Sequence, residues 1–159
     1  NTELYIADAM WYSHTIRRMN LTSGEVATIS GATAGNRDGA GTDARFNSPA
    51  GICLSPDETK LYIADSVNHK IREYDLVTGL VTTVAGDPSV AGDIVDDNYG
   101  SEDGEGTAAS FRGPLDVAAA HRSDGADAIY VADTDNHLIR QVVVRPGQLA
   151  VTTTLAGSG

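Results

Sequence analysis

The sequence contains few of the residues that usually stabilise very small folds or build reactive sites. Its single cysteine, Cys53, excludes an internal disulfide. Because Cys53 lies in the apolar stretch 51–54, we interpret it as a small buried hydrophobe rather than a reactive thiol. No apolar run approaches the length of a membrane-spanning helix, so we predict a globular protein without direct membrane insertion.

Basic residues are also scarce. Eleven lysines and arginines stand against twenty-two acidic residues, which gives a net charge of −11. Nucleic-acid binding draws much of its affinity from lysines and arginines that neutralise phosphates. We therefore predict no nucleic-acid partner.

The sequence does contain an internal repeat. A short β-rich phrase ending in aspartate occurs three times, and a second phrase ending in arginine follows each copy. The pairs are Leu4–Asp8 with Ser13–Arg17, Leu61–Asp65 with Asn68–Arg72, and Ile129–Asp133 with Asn136–Arg140. Residues that recur in every unit are expected to hold the scaffold, whereas a site for one ligand must break the repeat.

Each full unit reads as four short strands separated by turns. In the second unit these strands are predicted at 51–54, 61–64, 70–74 and 80–85, and no segment has helical periodicity. The stretch between units also recurs, with one phenylalanine per copy, Phe46 and Phe111, each predicted to pack between neighbouring units. Repeated units of four antiparallel strands are typical of a β-propeller.

The repeated phrases resemble the NHL-repeat family, named for Asn-His-Leu, which occurs unaltered at 136–138. Ser13 and Lys70 depart from that pattern in the other two copies. The resemblance implies a propeller, commonly six-bladed, that works as a binding or assembly scaffold.

The fold class predicted is all-β, an incomplete propeller of about 2.75 blades. We assign a partial blade to 1–31, full blades to 49–86 and 114–157, and inter-blade connections to 32–48 and 87–113. Open blade edges invite further pairing. We therefore expect the remaining blades to come from sequence beyond this segment or from neighbouring subunits.

Recurring polar residues are predicted to be structural. Equivalent positions in radially arranged blades lie far apart, so His14, His69 and His137 cannot share one metal ion, and we expect them to form hydrogen bonds. No metal or cofactor is predicted. The recurring aspartates are expected to pair with the recurring arginines or to cap turns. These pairs are Asp8 with Arg17, Asp65 with Arg72, and Asp133 with Arg140.

Asp116 breaks the repeat near the expected central channel, where the preceding unit has Gly51. A single carboxylate falls far short of the six to eight oxygens that calcium takes. Asp116 is therefore either a ligand-binding residue of the channel or a solvated one.

Two longer elaborations supply the candidate binding residues. Because strand direction alternates, both are expected on the same face. The first is the aromatic tip Met10, Trp11 and Tyr12, which either contacts a partner or packs on its own loop. The second is the acidic segment Asp96, Asp97, Asn98 and Tyr99, which either binds a partner or is solvated. The stretch 121–127 is expected on the opposite face as an ordinary turn extension.

No catalytic residues can be assembled from the sequence, so we predict a protein that is not an enzyme. The function predicted is a non-catalytic propeller module for protein or glycan interaction, or for structural assembly, within a larger extracellular or cell-surface protein. Asn20, in Asn20-Leu21-Thr22, is a glycosylation candidate compatible with that location. The alternative is part of a propeller lyase or hydrolase whose metal ligands lie on other blades.

Overall fold

The computed structural model describes residues 2–10, 12–87 and 99–158. These residues form thirteen β-strands and four three-residue 3-10 turns. The strands are β1 Glu3–Asp8, β2 His14–Asn20, β3 Val26–Ala32, β4 Gly39–Ala40, β5 Pro49–Leu54, β6 Lys60–Asp65, β7 Lys70–Asp75, β8 Leu80–Ala85, β9 Gly104–Glu105, β10 Pro114–His121, β11 Asp127–Asp133, β12 Leu138–Val144 and β13 Val151–Ala156. The 3-10 turns are Gly41–Asp43, Ser66–Asn68, Gly106–Ala108 and Thr134–Asn136.

The strands form three antiparallel sheets, which are three successive propeller blades. The first blade has the order β1-β2-β3, the second β4-β8-β7-β6-β5, and the third β10-β11-β12-β13-β9. Consecutive long strands are neighbours in every sheet, as in a meander. The predicted all-β propeller class is confirmed. Among the described residues, no helix is long and apolar enough to span a membrane.

Each full blade carries a short fifth strand that the sequence analysis did not predict. β4 pairs with β8 and β9 pairs with β13, so stretches interpreted only as connections also extend the sheets. One aspartate precedes each short strand: Asp38 accepts the amide of Thr83 at 3.0 Å, and Asp103 accepts the amide of Thr154 at 3.0 Å. A two-residue strand has no periodicity to read, which explains the omission.

The apolar core lies between blades rather than inside any one of them. Phe46 is fully buried with Ile16 of the first blade and Ile63 of the second. Phe111 is fully buried in the corresponding cluster between the second and third blades. The prediction that each phenylalanine packs between neighbouring units is confirmed.

The inner strands of neighbouring blades also approach closely. A Cβ atom at Gly51 would lie 2.5 Å from Cα of Asp116, so the glycine allows β5 and β10 to meet. Cys53, two residues along β5, is partly buried and packs against the inter-blade core, in line with its interpretation as a small hydrophobe. Burial, with a smaller contribution from Asp116, raises the pKa of its thiol to about 11, so it is protonated at neutral pH.

Candidate functional site

The recurring aspartate of the second blade is the centre of a buried hydrogen-bond network. Asp65 Oδ2 accepts bonds from Arg72 Nη1 at 2.7 Å and from Asn68 Nδ2 at 2.8 Å. Its Oδ1 accepts the amide of Asn47 at 2.8 Å. The side chains of Asp65 and Arg72 are completely buried, so each charge depends on the other for compensation.

A second acid from the preceding connection completes the network. Arg72 Nη2 lies 2.6 Å from Oδ1 of Asp38, the same carboxylate that bonds Thr83 of β8. The guanidinium group also stands over the ring of Phe46, 5.3 Å from its centroid. Arg72 thus connects three parts of the structure: the end of β6 through Asp65, the start of the short strand β4 through Asp38, and the ring of Phe46 between the blades.

The third blade repeats this arrangement residue by residue. The Arg140 guanidinium contacts Asp133 at 2.9 Å, Asp103 at 2.9 Å and the Phe111 ring at 5.1 Å. The predicted aspartate–arginine pairing is confirmed. Sequence reasoning assigned no role to Asp38 and Asp103. The signal that could have found them is the Asp-Gly pair that recurs in each connection ahead of the inter-blade phenylalanine.

The first blade has a weaker version of the pair. Asp8 and Arg17 lie 3.5 Å apart, and their side chains are 22% and 38% exposed. Ser13 replaces the asparagine of the other blades, and its hydroxyl bonds Thr15. This blade supplies a natural control for the buried networks.

The recurring histidines join each blade to the next one. His14 Nδ1 accepts the backbone N–H of Ser48 at 3.0 Å, and His69 Nδ1 accepts that of Gly113 at 2.9 Å. Ser48 and Gly113 hold the same left-handed conformation, with φ of 52° and 55°. The hydrogen-bonding role predicted for the recurring histidines is confirmed for these two. We call each such bond a histidine bridge.

A histidine bridge requires a neutral imidazole, because a protonated ring has no acceptor nitrogen. Burial lowers the pKa of His69; the acids Asp135 and Asp133 oppose this effect, and the cations Arg112 and Lys70 add to it, so that the pKa remains below its ordinary value. The ring is therefore kept in the form that can accept the amide of Gly113.

The aromatic tip predicted as an interface is prominently exposed where the structure describes it. Met10 is 70% exposed and Tyr12 is 96% exposed. Met10 O accepts the amide of Ser13 at 2.6 Å, which closes the turn beneath them. Trp11 lies outside the described residues. The interface role of the tip stays a prediction.

Tyr99 of the acidic segment packs against the scaffold. The Arg112 guanidinium stands over its ring at 4.2 Å and bonds its hydroxyl oxygen at 3.3 Å, while the ring meets His69 edge-on at 5.8 Å. Tyr99 therefore lies beside the second histidine bridge. Asp96, Asp97 and Asn98 lie outside the described residues.

The two remaining candidates accept local backbone hydrogen bonds. The exposed Asp116 accepts the amide of Val117 at 2.9 Å, and its role in the channel stays a prediction. Asn20 Oδ1 accepts the amide of Thr22 at 2.9 Å, as Asp75 accepts that of Val77 at the equivalent turn. Asn20 thus has a structural reason to be there, and its glycosylation stays a prediction. Among the described residues, no three or more histidine, cysteine or acidic side chains cluster as a metal site.

The side of the third blade that faces away from the second blade is an exposed apolar surface. Tyr130 and Ile139 are 38% and 44% exposed, whereas their counterparts Tyr62 and Ile71 in the second blade are 1% and 0% exposed. A hollow of about 220 Å³ beside Ile139 is lined by His137 and Gly157, among others. We call this surface the terminal face.

A larger cleft of about 410 Å³ lies between the second and third blades. Tyr62, Asp127 and His121 form a hydrogen-bonded row along it. Sequence reasoning interpreted 121–127 as a simple turn extension and missed this row. The available signal was His121, the one histidine that does not recur.

Comparison with known proteins agrees with this architecture. The chain is 32% identical to NHL repeat-containing protein 2 of Gallus gallus over 168 residues, covering 98% of the chain and 22% of that protein. It is 30% identical to the Homo sapiens protein of the same name over 145 residues, covering 86% and 18%. The chain belongs to the NHL-repeat β-propellers. An equal identity, 30% over 166 residues, relates it to Protein SUPPRESSOR OF QUENCHING 1, chloroplastic, of Arabidopsis thaliana, with 99% of the chain and 14% of that protein covered.

This NHL-repeat segment spans about a fifth or less of the length of these relatives. No family model matches the sequence. Solved structures share the fold: an auxiliary nutrient binding protein from Bacteroides ovatus superposes with a TM-score of 0.66 at 24% identity, covering 98% of this chain and 35% of that one. A candidate phosphatase from Bacteroides thetaiotaomicron gives 0.64 at 23%, covering 99% and 33%. At these identities the likeness establishes the fold alone.

Proposed function

We propose that this NHL-repeat segment is a non-catalytic assembly and interaction module whose terminal face packs against a further blade of a longer polypeptide. The recurring acids and arginines, together with His14 and His69, support this proposal, because they are engaged in scaffold contacts. A module of this kind contributes surfaces rather than chemistry.

The contrast between equivalent residues carries the proposal. Ile71 is fully buried under the third blade, whereas Ile139 at the same position is 44% exposed on the terminal face. Leu155 is 50% exposed there, while its counterpart Val84 packs against the inter-blade core. Contiguous exposed apolar surface on a soluble protein is typical of an interface.

The two existing blade junctions define the chemistry of the occupant. In the second and third blades, the motif Phe-X-Ser-Pro or Phe-X-Gly-Pro, at 46–49 and 111–114, leads into the first long strand. Its phenylalanine is buried in the junction with the preceding blade. The residue before proline gives its N–H to the histidine of the preceding blade. We expect the occupant to contain the same motif and to donate to His137, which has no such donor among the described residues. The relatives' additional length supplies room for such a blade in one polypeptide.

The exposed Met10 and Tyr12 are the proposed contacts for a separate protein partner, because tyrosine and methionine are enriched in interface centres. An extracellular or cell-surface location belongs to the same proposal. The alternative of a partial lyase or hydrolase is distinguished by the metal content of the longer protein, since a stoichiometric zinc or calcium ion would favour it.

Thiol labelling of Ile139→Cys tests the terminal face. In a Cys53→Ala background, Cys introduced at 139 should react with maleimide at least ten-fold more slowly in the longer polypeptide than in the 159-residue chain, because the further blade excludes the reagent. Ile71→Cys and Val77→Cys are the matched controls, being fully buried and 86% exposed in the structure. The first should be protected in both proteins and the second labelled in both.

Equal labelling at position 139 in the two proteins would contradict the proposal. Protection in the 159-residue chain that increases with protein concentration would show that a second copy covers the face instead. That outcome would also overturn the proposal of a further blade in the same polypeptide.

A further inference from the structure

The cleft between the second and third blades has the size and composition of a ligand site. It encloses about 410 Å³, within the range of about 300 to 1,000 Å³ that is common for small-molecule pockets. Its walls come from β6, β7 and β8 of one blade and from the β10–β11 and β12–β13 turns of the other. Strand alternation puts these turns at the end of the blades opposite the aromatic tip.

The polar row in the cleft crosses the blade boundary and is not repeated. The Tyr62 hydroxyl donates to Oδ2 of Asp127 at 3.1 Å, and His121 Nδ1 lies 3.3 Å from Oδ1 of the same carboxylate. The side chain of His121 is 62% exposed. An ionised carboxylate only accepts hydrogen bonds, so Nδ1–H of His121 donates to Asp127, and Nε2 of the neutral ring is then an acceptor for a ligand. Tyr62 is the recurring tyrosine of its blade, whereas His121 and Asp127 lie outside the recurring phrases and meet the criterion that a site for one ligand must break the repeat.

Two ion pairs lie in or beside the cleft. Lys60 Nζ lies 2.8 Å from Glu73 Oε1, and Arg145 Nη2 lies 2.8 Å from Asp124 Oδ2. Hydrogen bonds from Arg122 in particular hold the pKa of Asp124 down at about 2, so that partner remains ionised. A charged ligand would have to compete with these pairs. A neutral ligand can use the donors and acceptors of the pairs without separating them.

Aliphatic groups complete the lining. Val84, Val144, Pro146, Leu149 and Ala150 line the cleft together with the polar row and the Lys60–Glu73 pair. A pyranose ring has this dual character, because hydroxyl groups surround it and its C–H groups form an apolar face. We propose that the cleft binds a neutral saccharide, with Asp127 and His121 accepting hydrogen bonds from its hydroxyl groups.

This inference extends the interaction role of the proposed function to a small ligand, and it rests on that role. Its test does not involve the terminal face. Loss of saccharide binding and failure of blade assembly are therefore separate results, because Ile139 lies outside the cleft.

Saturation-transfer NMR on the 159-residue chain tests the inference with maltose, cellobiose, lactose and α-1,2-mannobiose as probes. At least one probe should receive saturation and give a measurable Kd. Asp127→Asn and His121→Ala should each weaken that Kd by at least ten-fold. Asp127→Asn retains an acceptor for the Tyr62 hydroxyl, so the blade junction should stay folded.

Leu21→Ser is the control, since Leu21 is exposed on the first blade and absent from the cleft lining. It should leave the Kd unchanged. Three monosaccharides, glucose, glucuronic acid and glucosamine, test the preference for neutral ligands. The two charged sugars should bind more weakly than glucose. The inference is overturned if none of the four disaccharides binds, if both cleft variants bind as the unmodified chain does, or if only a charged sugar binds.

Discussion

Asp65→Ala is expected to destabilise the protein by about 3 to 5 kcal/mol, the usual cost of removing one partner from a buried ion pair. Asp65 and Arg72 have fully buried side chains, so the substitution leaves the Arg72 guanidinium with only the half-exposed Asp38 as a carboxylate partner. It also removes the acceptor for Asn68 and for the amide of Asn47. Urea unfolding followed by circular dichroism measures the loss.

The first blade provides the matched control. Asp8→Ala removes the equivalent carboxylate from a pair that is 3.5 Å apart and partly exposed, and exposed pairs contribute about 0 to 1 kcal/mol. The double variant Asp65→Ala/Arg72→Ala should recover part of the loss, because no buried charge is then left unpaired. Similar losses for Asp65→Ala and Asp8→Ala would contradict the role given to burial.

Phe111→Ala should also cost about 3 to 5 kcal/mol, the range measured for large aromatic deletions in cores. Its ring is fully buried between two blades and lies under the Arg140 guanidinium, 5.1 Å from the ring centroid. The substitution leaves a cavity at the junction and removes this contact. Thermal unfolding should show a large fall in Tm.

Tyr12→Ala is the aromatic control for this substitution. Its side chain is 96% exposed, and surface changes of this kind usually alter stability by about 0.5 kcal/mol or less. Intact stability in the Phe111→Ala variant would show that the phenylalanine is not part of the inter-blade core.

The recurring residues made much of this fold predictable from sequence. Phe46 and Phe111, the paired acids and arginines, and the histidines recur in fixed order, and side chains that serve the same local contacts in each blade produce such a pattern. The histidine donors were not predicted. Ser48 and Gly113 both precede the proline of a recurring motif, but their side chains differ and the bond is made by the backbone N–H, so no shared side chain indicated a donor.

The saccharide cleft was not predictable for a different reason. Tyr62 and Asp127 are 65 residues apart, and their contact depends on how two blades are oriented. Tyr99 shows the same limitation: the sequence predicted that its segment either binds a partner or is solvated, and gave no sign that the Tyr99 ring stacks on Arg112. Contacts between blades that occur once leave no periodic signal in one sequence.

Detection of the histidine bridges in solution is the most direct test of the claim that recurring residues fasten each blade to the next. Scalar coupling across a hydrogen bond between two nitrogen atoms can be measured by NMR in the ¹⁵N-labelled chain. We predict such couplings from the Ser48 amide to His14 Nδ1 and from the Gly113 amide to His69 Nδ1, at the two bridges of 3.0 and 2.9 Å. Spectra that resolve all four groups and show neither coupling would contradict this account.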